Sequence, residues 1–247
     1  MSPLSFVSLN IEKRKHLDAV LPFLAKRAAD VVCVQELSEL DIPAFEKELG
    51  ASAFLPMWRT ADDSPDGDGP GTLVGVGIFS RLPFVRTDTR YYHRAAAGTP
   101  TFADKSVEEK RVSQNLGVLL ADVEKDGVTY RSASTHFTWT PDGEADEYQR
   151  QDVRTMLDLL ESEGEYVLCG DFNAPRGKEI FSAISAKLKD NVPSEYETSI
   201  DGNIHRAGAL PYMVDGLFST PGYAVSDVEM HCGVSDHCAL TATIRRA

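Results

Sequence analysis

Asp236 and His237 stand side by side in VSDHCAL, where a turn glycine, Gly233, gives way to an alternating apolar run. Other apolar runs close in a similar way. SLNIE ends in Asn10 and Glu12, CVQE in Glu36, and CGDFN in Asp171 and Asn173; STHFT carries His136 and MVDGLF carries Asp215. Taken one at a time, each has a structural explanation. An Asp or Asn after a strand caps a helix or forms a turn, Glu36 is the first solvated residue of its run, and His136 is a core histidine. Taken together they describe a rim. Carboxylates, amides and imidazoles at aligned strand ends converge, and crowded carboxylates repel one another unless a positive charge lies among them. Oxygen donors from Glu12, Glu36, Asp171 and Asp236, without cysteine, point to Mg²⁺ or Mn²⁺ rather than structural zinc. The histidines are then acid–base groups more than metal ligands.

Such a rim needs strands to carry it. The apolar runs predict strands over 4–11, 29–37, 74–80, 115–124, 128–138, 166–173, 213–219 and 238–244. Helical spacing appears in HLDAVLPFLAKRAA, with Pro22 as its one irregularity, in IPAFEKELG and in KEIFSAISAKL. It is clearest in ADEYQRQDVRTMLDLLESEG, where Val153, Met156, Leu157 and Leu160 share a face. Early strands alternate with helices, whereas 74–138 is strand-rich and turns at Asp126-Gly127. That mixture predicts an α/β protein in which two sheets pack face to face with helices outside. The acidic loop 60–73 invites a calcium-loop reading, but Pro65 interrupts it and Leu73 stands where a bidentate Glu is required, so a solvated loop is expected.

Composition bounds the partners. The chain has 247 residues, 42% hydrophobic and 26% charged, which is globular. Its net charge of −13 argues against holding duplex nucleic acid on a broad basic face. No run approaches the ~18 apolar residues of a membrane span, and the first residues lack a signal-peptide pattern. Cys33, Cys169, Cys232 and Cys238 form no C-x-x-C pair, and the first two sit in buried-strand patterns; a reduced, soluble, cytoplasmic protein is expected.

In this order, SLNIE, VVCVQE, GIFSRLPF, STHFT, LCGDFN, MVDGLFS and VSDHCAL resemble the endonuclease/exonuclease/phosphatase superfamily with its pancreatic deoxyribonuclease-like fold. The matches span residues 8–240, and GDFN followed by a late SDH is specific in combination. The resemblance implies one domain over 1–247, a four-layer α/β/β/α sandwich of two packed mixed sheets flanked by helices, and metal-dependent phosphoester hydrolysis. It implies Glu36 as the principal metal ligand, Asn10 and Glu12 beside metal and phosphate, and Asp236 as a metal-side acid. Many members carry Asp where this chain has Glu12. By the same resemblance His136 contacts the scissile phosphate, Asp171 positions or activates the attacking water, and Asn173 hydrogen-bonds the phosphate. His237 is the acid–base residue that Asp215 orients. Arg111, read as the start of a central strand, resembles an arginine near the substrate phosphate, with a solvated charge as the alternative. Arg81 is read as structural, and EKRKH (12–16) as a solvated helix start.

Selectivity then belongs to the loops 60–72, 91–111, 139–148 and 195–212, the last offering His205 and Arg206 as substrate contacts. None is strongly basic, which favours a short, flexible or small phosphoester: single-stranded or modified nucleic acid, or a small phosphodiester. The alternatives are a phosphomonoesterase on a small phosphorylated molecule and a non-catalytic binding module. No obligate protein partner is expected.

Overall fold

The computed structural model describes residues 2–61, 68–94 and 98–247. Pro65 and the middle of the acidic loop lie outside the described residues. Among the described residues, twelve strands form two six-stranded sheets. The first sheet has the order β11 (Tyr223–His231), β12 (Ala239–Arg246), β1 (Leu4–Asn10), β2 (Val31–Ser38), β4 (Leu73–Ser80), β3 (Ala51–Arg59). The second runs β5 (Phe84–His93), β6 (Leu116–Lys125), β7 (Val128–His136), β8 (Val167–Asp171), β10 (Asp215–Ser219), β9 (Lys189–Asp190). Both are mixed: β1–β2 and β7–β8 are parallel, and their other named pairs antiparallel.

Side chains alternate across β1 and β2, and both faces are buried. Leu4, Phe6, Val31 and Cys33 enter the core between the sheets, where Ile78, Ala133, Leu168 and Leu240 also pack. Val7, Leu9, Val32 and Val34 face outward onto Val20 and Leu24 of α1 (Leu17–Arg27) and Phe45 and Leu49 of α2 (Ile42–Leu49). Burial on both faces explains why these strands read as near-continuous apolar runs. On the other side, α4 (Glu147–Glu161) buries Val153, Met156 and Leu160, and α5 (Glu179–Ser185) buries Ile180, Phe181 and Ile184. The expected layered sandwich with helices outside is the observed one.

Four strands were not expected from the sequence: β3, β5, β9 and β11. They are the edge strands of the two sheets. A short helix, α3 (Val107–Val112), also occupies part of the expected 91–111 loop. Arg111 therefore lies in this helix and does not begin a strand.

Candidate active site

Strand register brings the polar residues together. The parallel β7–β8 pair sets His136 beside Asp171, and antiparallel β10 sets Asp215 on the other side of Asp171. In the facing sheet, parallel β1–β2 ends with Asn10 opposite Gln35, one residue before Glu36. β12, antiparallel to β1, starts just after Asp236 and His237. The backbone then turns the side chains inward. Glu12 (φ 48°), Glu36 (φ 57°) and Asn173 (φ 48°) are all left-handed, a region few non-glycine residues occupy. For Glu36 the turn coincides with a register shift against β4 between Val34 and Leu37, a bulge that re-aims its side chain. Such conformations persist where surrounding structure over-determines them, often at functional sites.

Asp171 is the hub. The Asn10 amide donates to Asp171 Oδ2 at 3.1 Å and to Glu36 Oε1 at 3.4 Å, tying the two sheets together. The Asn173 backbone N–H donates to Asp171 Oδ1 at 2.8 Å, while its side-chain amide donates to the Phe137 carbonyl at 2.9 Å. His136 Nε2 stands 3.5 Å from Asp171 Oδ2 and 3.8 Å from Glu36 Oε1. His237 Nε2 stands 3.8 Å from the same Asp171 oxygen, and its Nδ1 lies 2.7 Å from Asp215 Oδ2. An ionised carboxylate only accepts, so His237 Nδ1 carries the proton and donates. Asp215 is itself anchored, because Ser199 Oγ accepts from the backbone N–H groups of Val214 and Asp215.

The electrostatics follow from this crowding. Burial alone would raise Asp171, but the charges of His237 and His136 and the Asn173 N–H hold it well below the usual carboxylate range. Burial opposes the charged form of His237, yet Asp215, Asp171 and Asp236 together raise it. His136 is likewise raised by Asp171 and Glu36 against its burial. Glu12 is lowered despite burial by Lys15 and His16, both of which bond to its carboxylate. EKRKH, expected to be a solvated helix start, thus buttresses Glu12. Asp236 differs: burial pushes it up to about 6, and the negative charges of Glu12 and Glu36 add to the rise against His237.

Asp236 therefore stays raised beside the carboxylates of Glu12 and Glu36, although Lys15 and His16 bond to Glu12 and His136 stands near Glu36. Oxygen donors from Glu12, Glu36 and Asp236, with the Asn10 amide beside them, fit a hard divalent ion such as Mg²⁺ or Mn²⁺. Glu12, His16 and Asp236 can bring one ligand atom each within 4.8 Å of one another, as can Asp171, Asp215 and His237.

Beside this cluster is a cavity of about 330 Å³ lined by His237, Asn173, Trp139, Tyr212, His205 and Arg206, among others. The structure thus brings His205 and Arg206 to the site. Arg111 it does not: its guanidinium pairs with Asp146 and lies 4.6 Å from the Tyr148 ring centroid. The preceding residue, Lys110, places its ammonium 4.1 Å from the ring centroid of Trp139. Lys110, Trp139, Ser199 and Asp201 were not singled out from the sequence. Asp201 Oδ2 accepts from the Gly233 N–H at 2.6 Å and its own N–H donates to the Asp236 carbonyl at 2.8 Å, so it fastens the loop bearing Asp236 and His237.

The cysteines correct the expectation of a fully reduced chain. Cys232 and Cys238 are joined in a disulfide that closes the segment Gly233–His237. Cys33 and Cys169 remain free and buried, as their strands implied.

No curated protein sequence matches the chain. Among solved structures, an endonuclease/exonuclease/phosphatase from Beutenbergia cavernae is similar at TM-score 0.74 and 18% identity, covering 100% of this chain and 72% of that one. The human Nocturnin catalytic domain with bound sulfate anion is similar at TM-score 0.72 and 14% identity, covering 99% and 94%. A Bacteroides thetaiotaomicron mannosyl-6-phosphatase is similar at TM-score 0.68 and 13% identity, covering 98% and 99%. At these identities the likenesses concern the fold. Membership rests on the sequence pattern itself: the model of the endonuclease/exonuclease/phosphatase family matches residues 7–237, a stretch running from β1 to His237, and the chain belongs to that family.

Proposed function

We propose that this protein is a divalent-metal-dependent hydrolase of phosphoester bonds, a phosphodiesterase or nuclease acting on a short or small substrate. The observation that carries the reading is Asp171, contacted by amides and imidazoles from both sheets beside a carboxylate group that fits a cation. Glu36, Glu12 and Asp236, with Asn10 beside them, would hold the metal. When bound, Mg²⁺ or Mn²⁺ offsets the negative charge of the phosphate. Asp171, kept ionised, accepts a hydrogen bond from the attacking water and orients it. Its lowered basicity suits it to positioning more than to taking the proton outright. The Asn173 amide and the protonated His136 and His237 aim donors at the phosphoryl oxygens, where charge builds in the transition state. Asp215 holds the His237 ring in place.

The phosphomonoesterase reading stays in play because the same fold carries that chemistry in the mannosyl-6-phosphatase. Turnover of bis(p-nitrophenyl) phosphate and p-nitrophenyl phosphate, with Mg²⁺, Mn²⁺ or EDTA, separates the two. Metal-dependent cleavage of the diester is expected. Turnover of the monoester alone transfers the assignment to a phosphomonoesterase, and turnover in EDTA contradicts the metal's role. No helix among the described residues is long and apolar enough to cross a membrane. A cytoplasmic location drew its support from reduced cysteines, and the Cys232–Cys238 bond withdraws that support.

A further inference from the structure

His16 ends the turn that leads from β1 into α1 and stands at the cap position of that helix. Ser, Thr, Asp and Asn are the residues that normally cap there, through a side-chain oxygen. His16 makes no side-chain cap hydrogen bond; its Nε2 lies 2.9 Å from Glu12 Oε2 instead. An ionised carboxylate only accepts, so Nε2 carries the proton in this contact. Glu12 follows β1 closely, and its own N–H donates to Asn10 Oδ1 at 3.1 Å. Asp236 reaches the same place from the other end of the chain. One ligand atom from each of Glu12, His16 and Asp236 lies within 4.8 Å of the other two.

An ordinary ion pair, worth under about 1 kcal/mol, would account for Glu12 and His16 by themselves. It does not account for Asp236. That residue is 7% exposed, and one of its carboxylate oxygens accepts from Ser235 Oγ at 3.2 Å. The other accepts no hydrogen bond among the described residues. A buried carboxylate oxygen without a donor is unfavourable unless a cation supplies the missing partner. The spacing suits one. Adjacent ligand atoms held about 2.0–2.2 Å from a divalent ion stand about 3 Å apart, close to the separation of Glu12 Oε2 and His16 Nε2. Lys15 bonds to the other Glu12 oxygen, Oε1, which leaves the Oε2 side to His16.

Resting on the metal-dependent reading above, we propose that His16 Nε2 is a nitrogen ligand of the divalent ion for which Glu12 and Asp236 supply oxygens. A ligating ring is neutral, so the Nε2 proton passes to Nδ1 or to solvent on binding. His16 adds to the all-oxygen set of Glu12, Glu36 and Asp236 and changes what that set selects. Mg²⁺ takes oxygen ligands and keeps several waters, whereas imidazole nitrogen suits transition metals. His16 therefore turns the site away from Mg²⁺ and toward Mn²⁺ or Co²⁺.

The test is calorimetric titration of the full chain with Mn²⁺ and with Mg²⁺, joined to pulsed electron paramagnetic resonance of the Mn²⁺ complex, which detects nitrogen bound to the ion. The unaltered chain is expected to prefer Mn²⁺ and to show nitrogen coupling. His16→Ala should weaken Mn²⁺ by about tenfold or more and Mg²⁺ by less than about threefold, and should abolish the coupling. His16→Gln can keep a hydrogen bond to Glu12, yet it should restore neither the coupling nor the preference for Mn²⁺. His231→Gln, which removes an imidazole bonded to Thr241 away from the site, should change neither. Coupling that survives in His16→Gln would belong to another histidine and overturns the proposal. Full recovery of Mn²⁺ affinity in His16→Gln also overturns it, since His16 would then only orient Glu12. So does an equal weakening of both ions by His16→Ala, or an unaltered chain that binds no Mn²⁺. The hydrolase reading fails by a separate route, on absent metal-dependent turnover of bis(p-nitrophenyl) phosphate by the unaltered chain, whatever the source of the nitrogen coupling.

Discussion

Asp171 and His237 divide the work of the site by the company they keep. Asp171 sits below the ordinary carboxylate range because imidazolium charges and an N–H converge on it, and His237 sits above the ordinary imidazole range because carboxylates surround it. The pair therefore presents an ionised acceptor and a charged donor side by side. Replacing the donor should strike turnover and little else: His237→Ala is expected to lower kcat by about 10²–10⁴-fold while the melting temperature and Mn²⁺ affinity hold. Unchanged kcat would take His237 out of the chemistry. At this scale the sequence was informative wherever a polar residue ended an apolar run, since that position alone separates it from a solvated side chain. It was uninformative at Lys110 and Arg111. Successive residues of a helix point about 100° apart, so one faces Trp139 and the other Asp146 and Tyr148, and two adjacent cations carry no mark of which is which. Ser199 and Asp201 lie in a stretch without periodicity, and their part in holding Asp215 and the 233–237 segment becomes visible only through hydrogen bonds.

Elements set the distances between these residues. Gly170 has φ 141°, and a Cβ there would fall 1.9 Å from the Thr135 carbonyl oxygen of the neighbouring strand. It can be nothing larger without parting β7 from β8, the pair that aligns His136 with Asp171. Gly170→Ala is expected to destabilise the fold by about 3 kcal/mol or more through overpacking and backbone strain, read from urea denaturation, and to depress kcat in whatever protein remains folded. A loss below 1 kcal/mol would mean the strands yield freely. The Cys232–Cys238 bond closes a short loop around Asp236 and His237, so it constrains the unfolded chain and that loop together. Reducing it, or making Cys232→Ser with Cys238→Ser, should remove about 2 kcal/mol of stability and lower kcat. Unaltered stability and rate would show that Asp201 and the β12 hydrogen bonds suffice. The strands missed from sequence, β3, β5, β9 and β11, have a common cause. Interior strands bury both faces and read as apolar runs, whereas an edge strand such as FVRTDTRYYH keeps polar residues along one side, and ASAFLPMWR contains Pro56. The layers were legible because buried strands and amphipathic helices dominate the signal; their borders were not.

The whole molecule is an assembly of layers joined by polar as well as apolar contacts. His93, on β5, bridges the second sheet to α3 and α4: its Nε2 donates to the Arg111 carbonyl at 2.9 Å and its Nδ1 stands 3.2 Å from Asp152 Oδ1. Burial opposes its charge, but the Asp152 hydrogen bond and charge and the Arg111 carbonyl raise it, with Arg94 acting against them. A histidine raised on folding stabilises fully below its unfolded value of about 6.5, and that contribution is lost as pH rises through the folded value. His93→Gln should therefore cost more stability at about pH 5.5 than at about pH 9, as read from urea denaturation at the two values. Equal losses would show that the bridge is held without the charge. At this scale the acidic composition also has a visible consequence. With a net charge of −13 spread over the chain, positive charge near the site is local: His237 and Arg206 line the cavity, and His136 stands beside Asp171.

The most direct measurement joins metal and chemistry in one preparation: Mn²⁺ affinity by calorimetry, and turnover with Mg²⁺ or Mn²⁺ across single-stranded DNA and RNA, abasic duplex, inositol phosphates and bis(p-nitrophenyl) phosphate. Both should be taken on the unaltered chain and on Glu36→Ala. The account predicts metal binding and metal-dependent phosphoester cleavage in the unaltered chain, each weakened by about tenfold or more in the variant. Cleavage that survives both EDTA and Glu36→Ala would contradict it.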